Sequence, residues 1–182
     1  GAGDYDLQVH PARKFASLAA GGNPTVLMVL FGPLRFTTPL GDQLRSIAGA
    51  FRSIHARNAF LGYAKAQRER LDGTRGGRHV NREELEAAHG YDTKYAMHML
   101  RLGFQGIEYM ETGRMELPIP GEPGDILRSV RRGEWKLPDV LAEAEAIEKR
   151  LHDTEWDVPE TADLETINDW LLDVHRSTLP VC

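Results

Sequence analysis

From Asp92 to Thr112 the chain reads DTKYAMHMLRLGFQGIEYMET, and this spacing suits one regular structure above others. Tyr95, Met99, Leu102 and Gly106 recur at steps of four and three, which predicts a long amphipathic helix with that stripe turned inward. Lys94, His98, Arg101 and Gln105 fall at i, i+4, i+7 and i+11, so they share the neighbouring stripe, and it is mostly basic. Asp92 stands where a side chain can cap the first turn and offset the helix dipole. A solvated helix usually mixes glutamates among its cations, as the later run with Glu143, Glu145 and Glu148 does. Lysine as a point charge and arginine as a fork suit a triphosphate, and His98 has an N–H to offer the same group. The pattern leaves two readings open: a phosphate-binding face, or the wet face of an amphipathic helix.

The rest of the chain reads mostly as helix. DYDLQVH alternates in character and stops at Pro11, which predicts a short strand with Asp4 and Asp6 on one face. RKFASLAAGG predicts a short helix ending at Gly21-Gly22. Asn23 caps a second helix with Pro24 at its first position, and that helix is apolar nearly all round, so it is expected in the core. Helices are predicted from about Gly41 to Ala50 and from about His55 to Leu71. The second of these presents Arg57, Tyr63, Gln67 and Arg70, and its Gly62 is small enough to admit another backbone. The loop from Asp72 to Arg82 holds Arg75, Arg78, Arg82 and His79 among glycines, a candidate lid. Asn81 and Glu84 have capping-box spacing before a short helix. MELPIP, with two prolines, predicts a brief edge strand at Met115 to Ile119. Helical periodicity returns from Asp125, in the run Leu137, Val140, Leu141, Ala144, Ile147, Leu151, and from about Asp163 to Ser177.

Charge is unevenly placed. The net charge is −5, yet Arg52 to Arg101 carries ten Lys/Arg against six Asp/Glu, whereas Pro138 to Thr178 carries three against twelve. A basic middle in an acidic protein points to a local phosphate site, and the acidic tail argues against non-specific coating of nucleic acid. Cys182 is the only cysteine, so neither an internal disulfide nor a cysteine metal site forms within the chain. HExxH, CxxC, GxSxG, GxGxxG and the Walker P-loop are all absent, and His55 and His79 are not spaced as a metal pair. No apolar run reaches the roughly 18 residues of a membrane span, so a cytoplasmic location without a membrane partner is expected. The chain opens GAGDYDLQVH without methionine, which leads us to expect an N-terminally truncated form.

DLQVHPARKFASLAAGGNPTVL, FLGYAKAQRERL, GYDTKYAMHMLRLGFQGIEYMETG and SVRRGEWKL, in that order from Asp6 to about Leu151, resemble the nucleotidyltransferases of the DNA polymerase β superfamily, in the bacterial and phage branch linked to RNA repair. GYDTKYAMHMLRL is the most specific of these segments. The resemblance implies a mostly α fold with a small β element: the C-terminal portion of a polymerase-β-like fold, with residues 1–50 the remainder of a palm-like domain and 51–182 a helical domain. It implies a Mg²⁺-dependent transfer of a nucleoside monophosphate from an NTP to RNA, a protein hydroxyl or a small molecule, by in-line attack with pyrophosphate departing.

In that family a GS motif and a DxD pair precede a third carboxylate. Here Asp6 matches the third carboxylate, as catalytic residue and metal ligand, with Asp4 the alternative ligand. The GS motif and DxD pair are expected upstream of Gly1. Met28 stands where many relatives have glutamate. The phosphate-facing residues implied are Lys94 first, then His98 and Arg101, with Arg78 or Arg82 reaching from the loop and Tyr63 beside them. The alternative is a non-catalytic helical module that binds RNA ends or a protein partner.

Overall fold

The computed structural model describes residues 8–74 and 82–178. These form nine α-helices and one 3₁₀ turn, with no strand among the described residues. The helices are α1 (Ala12–Ala20), α2 (Pro24–Phe31), α3 (Pro39–Ser46), α4 (Ile54–Leu71), α5 (Glu83–His89), α6 (Thr93–Thr112), α7 (Gly121–Arg131), α8 (Leu137–Asp153) and α9 (Leu164–Thr178). A mostly helical fold is therefore what the chain adopts. The strand expected at Asp4 to His10 lies largely outside the described residues.

The other expected strand does not form. Met115 to Ile119 runs as irregular chain with a cis Leu117-Pro118 bond. Pro118 and Pro120 have no N–H to give a ladder, and among the described residues no neighbouring strand accepts one. The helix expected at Gly41 to Ala50 is also divided. Thr38 caps α3 through Gly41 N at 3.2 Å, α3 ends at Ser46, and the 3₁₀ turn Ala48–Phe51 follows.

Helix α6 is the central post, packed on α4, α7 and α8. Two glycines three residues apart make this possible. A Cβ on Gly103 would lie 2.3 Å from Ile147 Cγ2 of α8, and one on Gly106 would lie 3.0 Å from Phe60 Cβ of α4 and 3.1 Å from Leu151 Cδ1 of α8. Glycine inside a helix costs about 1 kcal/mol against alanine, and here it is offset by the close approach of two neighbours. Tyr109 extends this seam, its ring 5.8 Å from Phe31 and 6.2 Å from Phe60.

Asn23 caps α2 as its sequence predicts, accepting from Thr25 N at 3.0 Å and Val26 N at 3.2 Å. Burial of α2 is one-sided, however: Val26, Leu27 and Leu30 are buried while Val29 is 62% exposed. Gly62 admits no backbone, for a Cβ there would meet nothing within 4 Å. Helix α5 starts at Glu83 with Arg82 at its cap position and no side-chain cap bond, and Asn81 lies outside the described residues. The acidic α9 packs on α1 and α3, and Trp170 Nε1 donates to Leu40 O at 2.9 Å. No helix among the described residues is long and apolar enough to cross a membrane.

Candidate functional site

GYDTKYAMHMLRL divides into an anchoring half and a facing half. Gly90 ends α5 at φ 81°, a left-handed turn that suits glycine. The buried Tyr91 donates its hydroxyl to Trp135 O at 2.8 Å, tying the start of α6 to the chain after α7. Asp92, 3% exposed, caps α6 by accepting from Lys94 N at 2.8 Å and Tyr95 N at 3.1 Å. Its second oxygen accepts from Arg82 Nη1 at 2.8 Å, and the Arg82 guanidinium lies 4.9 Å over the Tyr95 ring. Thr93 Oγ1 accepts from Arg131 Nη1 of α7 at 2.9 Å. Asp92→Ala removes a cap and the carboxylate partner of Arg82, so it is expected to cost about 1–3 kcal/mol in a chemical denaturation. A loss below about 0.5 kcal/mol would show that the cap does not hold this junction.

These anchors collect cations around His98. Burial first, and then the charges of Arg101, Lys94, Arg82 and Arg131, hold His98 down at about 4, so its imidazole is neutral at pH 7. Arg101 sits half-buried, burial lowers its pKa, and its Nε has no partner. His98 and Arg101 form one wall of a groove of about 980 Å³ whose other walls are α4, through Tyr63, Lys65, Gln67 and Arg70, and the Thr25–Met28 edge of α2. Glu69 is the single carboxylate in that lining among the described residues. Tyr63 accepts from Asn23 Nδ2 at 2.7 Å, which ties the α2 cap to the groove wall.

The arrangement predicts a pH effect of definite sign. The groups facing His98 are Lys94 and Arg101 on its own helix, Arg82 before α5 and Arg131 on α7, with Lys65, Glu69 and Arg70 bordering the same groove from α4. A histidine whose folded pKa lies below the unfolded 6.5 contributes stability that is fully present above 6.5 and is lost as pH falls towards 4, because only the unfolded chain takes up the proton in that window. The melting temperature of wild type is expected to fall more steeply from pH 6.5 to 4 than that of His98→Gln. Parallel slopes would contradict the burial of His98 among these cations.

The structure thus brings together His98, Arg101 and Tyr63 in one groove. Lys94 is exposed and lies outside its lining, though near enough to act on His98. Arg82 is committed in part to Asp92. Asp4, Asp6 and Arg78 lie outside the described residues. Arg131 and Lys65 join the basic set without having been singled out in the sequence. Arg131 is legible only as half of an arginine doublet, whose other half, Arg132, pairs with Glu134 at 2.5 Å.

A second groove further along α6, about 660 Å³, is lined by Phe104, Ile107 and Trp135 and by Glu108, Glu111, Glu122 and Glu143. Burial raises the Glu108 pKa. Its carboxylates make it unsuited to a polyphosphate. Among the described residues no three His, Cys, Asp or Glu side chains are grouped to hold a metal ion.

A model of RlaP, the RNA repair pathway DNA polymerase beta family, matches residues 1–131. The chain belongs to this family. The RlaP match takes in α1 to α7, with the whole basic groove and Arg131 as its last residue, and leaves α8 and α9 outside. No curated protein and no solved structure matches the chain.

Proposed function

We propose that the chain contributes the triphosphate-binding half of a nucleotidyltransferase active site, which transfers a nucleoside monophosphate from an NTP to an acceptor such as RNA, a protein hydroxyl or a small molecule. The observation that carries this reading is the groove in which His98 and Arg101 face Lys65, Gln67 and Arg70, with one carboxylate among them. In such a transfer an acceptor oxygen attacks the α-phosphorus, the new O–P bond forms as the bond to the β-phosphate oxygen breaks, the acceptor loses its proton, and pyrophosphate leaves. Negative charge grows on that leaving group, so fixed guanidinium and N–H donors aimed at it lower the barrier. Arg101 supplies the half-buried charge, neutral His98 one N–H, and Lys94 and Arg131 the surrounding field.

The Mg²⁺ that the resemblance implies has its candidate ligands, Asp6 and the alternative Asp4, outside the described residues, and the described residues offer it no site. Residues 1–50 as the end of a palm-like part and 51–182 as a helical part remain our division of the chain. Incubation with radiolabelled NTPs and an RNA acceptor, wild type against Arg101→Ala and Lys94→Ala, tests the reading. Transfer and NTP binding that are equal in all three would overturn it. NTP binding without transfer would instead make the chain a binding module.

A further inference from the structure

We propose that Arg45, Arg52 and Arg114 form a second phosphate site, separate from the nucleotide groove, and that the phosphate it takes belongs to a single-stranded polynucleotide. The three side chains line one pocket of about 530 Å³, bounded by Leu30 and Phe31 of α2, the α3 and 3₁₀ segment, and Thr112 and Gly113 at the end of α6. Among the described residues no carboxylate lines it. Arg68, Arg82, Arg128, Arg132, Arg150 and Arg176 each pair with a carboxylate. Arg45, Arg52 and Arg114 pair with none among the described residues.

Two of the three are held in place by neutral oxygens. Arg45 Nη1 donates to Gly32 O at 2.9 Å. Arg52 Nη2 donates to Met110 O and, at 3.1 Å, to Glu111 O, while its Nε is buried without a partner. Arg114 is exposed, and its guanidinium makes no contact of this kind among the described residues. The carbonyls at the end of α6 offer roughly half a negative charge against three positive ones. The positive charge of the three guanidinium groups exceeds what these carbonyls offset, and the forked donors suit phosphate.

Two features favour a polynucleotide over a free phosphate. The pocket and the nucleotide groove share α2: Thr25 and Met28 border the groove, and Leu30 and Phe31 border the pocket. Two phosphate sites therefore lie within about two turns of one helix, roughly 10 Å along its axis. The loop that joins α2 to α3 also carries Phe36, 83% exposed, next to exposed Arg35. An exposed aromatic ring beside cations is a stacking platform that tolerates any base.

Fluorescence anisotropy of a labelled single-stranded oligoribonucleotide tests the proposal without catalysis or metal, so it stands apart from the transferase reading. Arg114→Glu, which disturbs no internal contact, is expected to weaken binding about tenfold at low salt and to reduce the slope of log K against log salt by about one. Phe36→Ala is expected to weaken it about fivefold or more, with inorganic pyrophosphate binding unchanged. NTP binding at the groove should stay within about twofold of wild type in both variants. Failure of wild type to bind the oligonucleotide, or unchanged affinity in both Arg114→Glu and Arg45→Gln, would overturn the proposal. So would an equal loss of NTP binding in Arg114→Glu, which would merge the two sites. Pyrophosphate binding that disappears in Arg114→Glu, with no oligonucleotide bound by wild type, would leave a free-phosphate site and remove the polynucleotide.

Discussion

Arg101→Ala is expected to weaken NTP binding by about ten- to a hundredfold while leaving the denaturation midpoint unchanged or slightly raised. The first half follows from the strength of hydrogen bonds to a charged group, about 1.5–3 kcal/mol each, at 1.4 kcal/mol per tenfold. The second half follows from what Arg101 lacks. Its guanidinium is partly desolvated, its Nε has no partner, and no carboxylate pairs with it among the described residues. Truncation removes a binding group and an uncompensated internal charge in one step, so affinity and stability move in opposite directions.

Lys94→Ala sets the comparison. Lys94 is exposed and outside the groove lining, so its loss is expected to cost about two- to fivefold, and less as salt is raised. Titration calorimetry with Mg-NTP at two salt concentrations reads both variants. A larger loss in Lys94→Ala than in Arg101→Ala would return the leading role to Lys94 and show that the groove does not hold the triphosphate.

The expected order, Arg101 before Lys94, marks where sequence reasoning reached and where it stopped. Asn23 and Asp92 were legible because a cap acts on backbone two or three residues away, and the bounds of α6 follow from its own periodicity. The basic stripe was legible for the same reason. Which member of the stripe faces a wall depends on where α4 and α2 lie, and nothing in DTKYAMHMLRL states that. Arg131 reaches Thr93 across 38 residues, and Arg52 reaches the end of α6 across 58, so both links belong to the packing rather than to any local pattern. Gly62 and Gly103 make the same point: one faces open space and the other Ile147, with no local difference to tell them apart.

Gly22→Ala is expected to be a costly small change, about 2–5 kcal/mol, and to reach the groove. Gly22 has φ 73°, where a Cβ costs about 1–2 kcal/mol. The added atom would also fall 2.3 Å from Ala56 Cα and 2.7 Å from Ala56 N, and backbone does not yield as a flexible side chain would. Overpacking of this kind adds about 1–3 kcal/mol. The strain has one outlet, which is to push the α1–α2 turn away from the start of α4. Asn23 follows directly, and its side chain both caps α2 and donates to Tyr63 on the groove wall. Moving it displaces the Thr25–Met28 edge from His98 and Arg101. Urea denaturation of Gly22→Ala should therefore show the lower midpoint, and NTP affinity should fall even under conditions where the variant is fully folded. Gly21→Ala is the control, since a Cβ there meets nothing closer than 3.5 Å. If the two alanine variants are equally stable, the contact between Gly22 and Ala56 is not what fixes α2 against α4. If Gly22→Ala is destabilised yet binds NTP as wild type does, the α2 edge is not a working wall of the groove.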